Sequence, residues 1–141
     1  FPRAAQRRVG IIVRLPMASG LLGGKITRAT TFRADDHRHF NRDGAMFNVG
    51  ETFAGLELER GITAIEQLAP LVPAGMTMAQ MALRWVLDHP AVSVVIPGAS
   101  RPDQVRANVD AAAVPPLPAA LHEQLAGMYR AHVRDFIRGP Y

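Results

Sequence analysis

The order strand, glycine-bearing turn, helix occurs twice in this chain, and it limits the possible folds more than any other feature. Val9-Gly10-Ile11-Ile12-Val13 and Val92-Ser93-Val94-Val95-Ile96 are short, apolar and rich in β-branched residues. Such runs predict strands buried on both faces, as in a parallel sheet. The repeated order predicts an α/β architecture. Two strands cannot make a stable parallel sheet alone, because edges and faces need cover. An eight-stranded α/β barrel typically needs about 250 residues. With 141 residues, the chain is expected to supply roughly a quarter of the strands of such a barrel.

The first strand runs into Leu15-Pro16-Met17-Ala18-Ser19-Gly20-Leu21-Leu22-Gly23-Gly24-Lys25. One proline and three glycines make this a loop whose backbone can approach a ligand closely. Residues 26–55 are polar, arginine-rich and weakly periodic, and read as a long excursion. From Leu56 to Val72 the residues Ile62, Ile65, Leu68 and Ala69 recur at helical spacing. Thr77-Met78-Ala79-Gln80 fits a capping box, and its helix should end near Asp88, with Met78, Met81, Ala82 and Trp85 on the core face. After the second strand, Ser100 is the expected N-cap of a helix with Val105, Val109 and Ala112 turned inward. A last helix is expected from Pro118 to about Ile137, with Leu121, Leu125, Met128 and Val133 on one side.

Chemistry concentrates where the second strand meets its helix, at Ile96-Pro97-Gly98-Ala99-Ser100-Arg101. Free amides and the macrodipole at a helix start favour an anion. Gly98 removes a side chain that would block a phosphate, and Arg101 offers a fork suited to one. The plain alternative is a capped turn carrying a surface arginine. Elsewhere the sixteen basic residues, of which Lys25 is the single lysine, are spread along the chain against twelve acidic ones. That spread reads as a solvated surface rather than a nucleic-acid patch. His37 and His39 stand near Asp35 and Asp36 without further ligands, so no metal is assigned. The absence of cysteine excludes disulfides and fits a reducing, cytoplasmic setting. The apolar runs are too short to span a bilayer. The start, Phe1-Pro2-Arg3, has neither initiator methionine nor signal-peptide stretch and reads as mid-domain.

Several segments together resemble one family, the aldo/keto reductases. Pro16 to Lys25 is similar to the loop after the family's seventh barrel strand. Ala82-Leu83-Arg84-Trp85-Val86-Leu87 resembles its A-L-R-W helix. Ile96 to Asn108 resembles its last strand and cofactor loop. Asp35-Asp36-His37-Arg38, Phe40-Asn41-Arg42 and Gly50-Glu51-Thr52-Phe53-Ala54-Gly55 resemble a bacterial branch. The resemblance covers residues 5–113. It implies the C-terminal part of a (β/α)8 TIM barrel, about strands seven and eight with their helices, occupying residues 1–141 with 26–55 as an internal excursion.

The resemblance also implies NADP(H) as cofactor. Met17, Ser19, Gly20, Leu22, Gly24 and Lys25 would wrap its pyrophosphate. Gly98, Ser100, Arg101 and Gln104 would hold the adenosine 2′-phosphate, and Asn108 would contact adenine. Ala107 stands where the family often has an acidic residue, and Gly23 where it usually has threonine.

The family's catalytic tyrosine, lysine, aspartate and histidine lie on earlier strands. This chain has only Tyr129 and Tyr141, and its one lysine already falls in a cofactor loop. No catalytic residue is therefore assigned, and the chain alone is expected to be inactive. The implied function is a segment of an NADP-dependent oxidoreductase reducing aldehyde, ketone or sugar-like carbonyls. The remainder of the barrel would be a partner if supplied separately. No nucleic-acid or membrane partner is expected. The alternative is a non-catalytic truncated or nucleotide-binding module.

Overall fold

A computed structural model describes residues 1–139; Tyr141 lies outside the described residues. The chain divides into two compact units, Phe1–Met17 with Val72–His122, and Ala18–Leu71 with the segment from Glu123 onward.

The first unit holds the sheet. A short helix α1 (Pro2–Gln6) leads into β1 (Ile11–Arg14), which pairs in parallel with β2 (Val92–Ile96). The parallel pairing and the bounds of β2 match expectation, while β1 starts two residues later than the expected Val9 and runs on to Arg14. The expected burial on both faces does not hold. Along β1 burial alternates, and Ile12 is 67% exposed, as are Val94 and Ile96 by about half. Strand β2 packs on helix α4 (Met78–Leu87).

Helix α4 starts as the sequence indicates. The Thr77 hydroxyl accepts from the Gln80 amide at 3.1 Å, and the Gln80 side chain accepts from the Thr77 amide at 2.9 Å. Its inward face is rotated from the expected one. Met81, Leu83 and Val86 are buried, while Met78, Ala82 and Trp85 are only half-buried. Burial of Met81 and Leu83 contributes roughly 1.5–3 kcal/mol each.

Helix α5 (Pro102–Asp110) also differs. Val105 and Val109 face solvent, whereas Gln104 and Asn108 are half-buried and Ala111 is fully buried. The inward stripe is thus 104, 108 and 111, about one residue off the expected stripe. Apolar spacing alone did not fix which side of the helix is inward. Helix α6 (Ala119–His132) buries Leu121 and Leu125 and ends five residues earlier than expected. A separate 3-10 turn, Arg134–Phe136, follows it.

The second unit contains α2 (His37–Phe40), α3 (Leu58–Leu68) and several 3-10 turns. Ile62 and Leu68 are buried on α3, as the spacing indicates. Gly61 admits Leu21, whose side chain would stand 2.7 Å from a Cβ there. The segment 26–55 is held by polar contacts rather than by long elements. Fully buried Asn41 donates to the Thr52 hydroxyl at 3.1 Å and accepts from the Met46 and Phe47 amides at 2.9 Å each. Arg28 pairs with Glu59 and Glu66, tying the start of this segment to α3. The Arg138 guanidinium donates to the carbonyls of Arg42, Gly55 and Leu56 and pairs with Asp43 at 2.8 Å.

Candidate cofactor-binding loops

The two strands end in register, with Arg14 opposite Ile96. The segments that follow them therefore leave from the same edge of the sheet. In parallel α/β sheets that carboxyl edge is where ligands are bound.

In the first loop, Met17 is half-buried and precedes three consecutive left-handed residues, Ala18, Ser19 and Gly20, with φ of 46°, 57° and 97°. Only glycine adopts this region freely, so Ala18 and Ser19 are strained by about 1–2 kcal/mol each. The Ser19 hydroxyl offsets the strain. It donates to the Glu51 carbonyl and accepts from the Phe53 amide, both at 3.1 Å. Phe53 and Ala54 are themselves left-handed, and Phe53 is completely buried. The side chain of Ser19 is thus engaged with residues 51–53, and only its backbone faces other duties. Leu21 is buried, Leu22 is half-buried, Gly24 turns the chain with φ of 68°, and Lys25 is exposed.

Sequence reading passed over one cation here. The Arg38 guanidinium lies beside the first loop, with Nη1 3.6 Å from where a Cβ on Gly20 would stand. Asp36 orients it through bonds to Nε and to Nη2, the latter at 2.6 Å, and the guanidinium stacks over Phe32 at 4.6 Å. Asp36 also caps α2 by accepting from the Arg38 amide. Hydrogen bonding from Arg38 lowers the Asp36 carboxyl from 3.8 to about 2, against an opposing push from burial. The signal in the sequence was the Asp36-x-Arg38 spacing, whose target 18 residues back could not be read.

The second loop is more internally satisfied than the sequence suggests. The helix begins at Pro102 with Arg101 in the cap position, not Ser100. The Gln104 side-chain oxygen accepts from the Ser100 amide at 2.7 Å and from the Arg101 amide at 3.2 Å. The Ser100 hydroxyl is 3.1 Å from the same oxygen. The amides expected to be free for an anion are therefore capped by Gln104. Arg101 is exposed and pairs with Asp103, Nε to Oδ1 and Nη2 to Oδ2, at 3.1 Å each. That contact raises the arginine and lowers the aspartate relative to their ordinary values. Asn108 reaches back to the Gly98 carbonyl at 3.5 Å. A Cβ on Gly98 would meet no protein atom within 4 Å. The second loop thus brings Gly98, Ser100, Arg101, Gln104 and Asn108 together around one turn.

With this geometry in place, comparison with known proteins is decisive. The family model for aldo/keto reductases matches residues 1–130. The chain belongs to the aldo/keto reductase family. It is 36% identical over 103 residues to the L-glyceraldehyde 3-phosphate reductase of Escherichia coli O157:H7, covering 73% of this chain and 28% of that protein. It is 29% identical over 109 residues to the aldo-keto reductase YhdN of Bacillus subtilis, covering 76% of this chain and 30% of that protein. A glycerol dehydrogenase structure from Gluconobacter oxydans superposes with a TM-score of 0.74 at 25% identity, over 99% of this chain and 40% of that one. The chain therefore spans less than a third of these curated relatives and two fifths of that structure.

Family membership leaves one polar cluster of the first unit unassigned. Asp88, at the end of α4, accepts from Arg84 Nε at 2.8 Å, from the Leu117 amide at 2.9 Å and stands 2.9 Å from His122 Nε2. Burial pushes this carboxyl up, but bonds from Leu117, His122 and Arg84 together bring it below its ordinary value. Beside it His89 packs on Phe1 and Trp85, with its buried Nε2 unpartnered, and burial lowers its pKa. The cluster ties α4 to the start of α6, away from both glycine-bearing turns in sequence. Among the described residues no helix is long and apolar enough to cross a membrane.

Proposed function

We propose that this chain is the cofactor-binding C-terminal segment of an NADP(H)-dependent aldo/keto reductase, corresponding to strands seven and eight of the barrel with their helices. The whole enzyme would reduce aldehyde, ketone or sugar-like carbonyls. The observation that carries the NADP reading is Arg101: an exposed guanidinium at the head of α5, directly after β2, on a turn whose glycine leaves space for a ligand. An unphosphorylated dinucleotide brings no anion to that cation.

The residues fit the cofactor in this way. Arg101 and Ser100 would hold the 2′-phosphate, with Gln104 shaping the turn and Asn108 near the base. Backbone of Ser19, Gly20 and Leu22, with Gly24 and Lys25, would hold the pyrophosphate. Met17 would lie at the approach to that loop. Arg38 adds a charge beside it. When bound, the nicotinamide supplies or accepts hydride.

The chain's own residues do no proton transfer in this reading. A carbonyl reduction needs a proton donor held at hydrogen-bond distance from the reacting oxygen. The lysine sits in the first loop, and Tyr129 lies on α6. The chain by itself is expected to bind cofactor without turning over carbonyls. Its partner would be the remainder of the barrel, and its location the cytoplasm.

Titration with NADPH and NADH tests the reading. Arg101→Ala should weaken NADPH more than NADH, since only the former brings a phosphate to this charge. Equal losses would remove Arg101 from the 2′-phosphate role. Turnover of a carbonyl panel by the purified chain would refute the claim that it lacks catalytic groups.

A further inference from the structure

We propose that Asp103 sets the preference of the second loop between phosphorylated and unphosphorylated dinucleotides by competing with the 2′-phosphate for Arg101. The inference rests on the cofactor reading above.

Without a ligand, the guanidinium is already gripped at two points by the Asp103 carboxylate, at 3.1 Å each. This is the fork-to-fork contact that a phosphate would make. Asp103 is two residues away on the first turn of α5, so the competing anion is tethered and always present. The hydrogen bonds to Asp103 run from Nε and Nη2, so the carboxylate holds one edge of the guanidinium.

An arriving phosphate then has two courses. It displaces the carboxylate, or it shares the guanidinium with a second anion and meets like-charge repulsion. Both courses disfavour the phosphorylated cofactor. A dinucleotide without that phosphate brings no charge to this point, so Asp103 leaves it untouched. The two side chains are 57% and 66% exposed. Screening therefore keeps the effect modest, on the order of 1.5- to 5-fold for an exposed pair.

The experiment is a fluorescence titration of the 141-residue chain and of Asp103→Asn with NADPH and NADH. The variant should raise the ratio of NADPH to NADH affinity roughly 1.5- to 5-fold, with NADH unchanged. Asp103→Ser, which also suits a helix start, should move the ratio in the same direction. In an Arg101→Ala background the gain should shrink. An unchanged or lower ratio with NADPH still bound overturns the role of Asp103 and leaves the cofactor reading standing. A parallel loss of both affinities overturns it too, since that is the mark of a purely structural residue. If neither cofactor binds the wild-type chain or any variant, both this inference and the cofactor reading fall.

Discussion

A Cβ on Gly98 would meet open space, so the fold itself places no demand for glycine there. Gly98→Ala is therefore expected to leave circular dichroism unchanged while weakening NADPH, because the backbone could no longer approach a phosphate closely. Undiminished binding would put the ligand elsewhere. At the first loop the informative residue is Asp36. Its folded pKa, about 2, lies below its ordinary 3.8, held there by Arg38. A depressed carboxyl stabilises the fold fully above its unfolded pKa and ceases to do so as pH falls through the folded one. The pair is a quarter to a third exposed, so after screening the contribution is about 1 kcal/mol. Exchange of the Arg38 amide reads it directly, since that amide donates to Asp36. Asp36→Asn should speed the exchange near pH 7, and the gap from wild type should narrow toward pH 2. A gap of constant size would show that charge is not its source.

Among the elements, what the sequence made legible was local. The Thr77–Gln80 capping box and the two strands could be read because their determinants lie within a few residues. The inward face of α5 could not, because Gln104, Asn108 and Ala111 take it through contacts and capping that apolar spacing does not encode. The same holds for Ser19, whose hydroxyl partners lie 32 and 34 residues onward. The resemblance implied a cofactor role for Ser19 but was silent on where its side chain points. Asp88 is the extreme case, with partners 29 and 34 residues away. Asp88→Ala would leave Arg84, only 13% exposed, without its carboxylate. Removing the shared acceptor from this part-buried cluster is expected to cost about 1–3 kcal/mol. Faster amide exchange at Leu117 should report the loss; unchanged protection would mean that Asp88 does not join α4 to the segment before α6.

For the molecule as a whole, the sequence indicated both the parallel strand pair and its need for cover from elsewhere. The apolar runs do form a parallel pair, but Ile12, Val94 and Ile96 remain substantially exposed, and among the described residues each strand has one neighbour. Unpaired strand edges beside exposed apolar side chains favour association. The isolated chain is accordingly expected to self-associate with rising concentration in sedimentation runs. A monomer with a sharp, cooperative melt would contradict that. The reading of residues 15–25 and 97–108 as dinucleotide loops can be examined without waiting for a carbonyl substrate. The most direct measurement is amide shift mapping of the labelled chain during addition of NADP. The shifts are expected to gather at Met17 to Lys25 and at Gly98 to Asn108. Shifts confined to other segments, or none at saturating ligand, would contradict it.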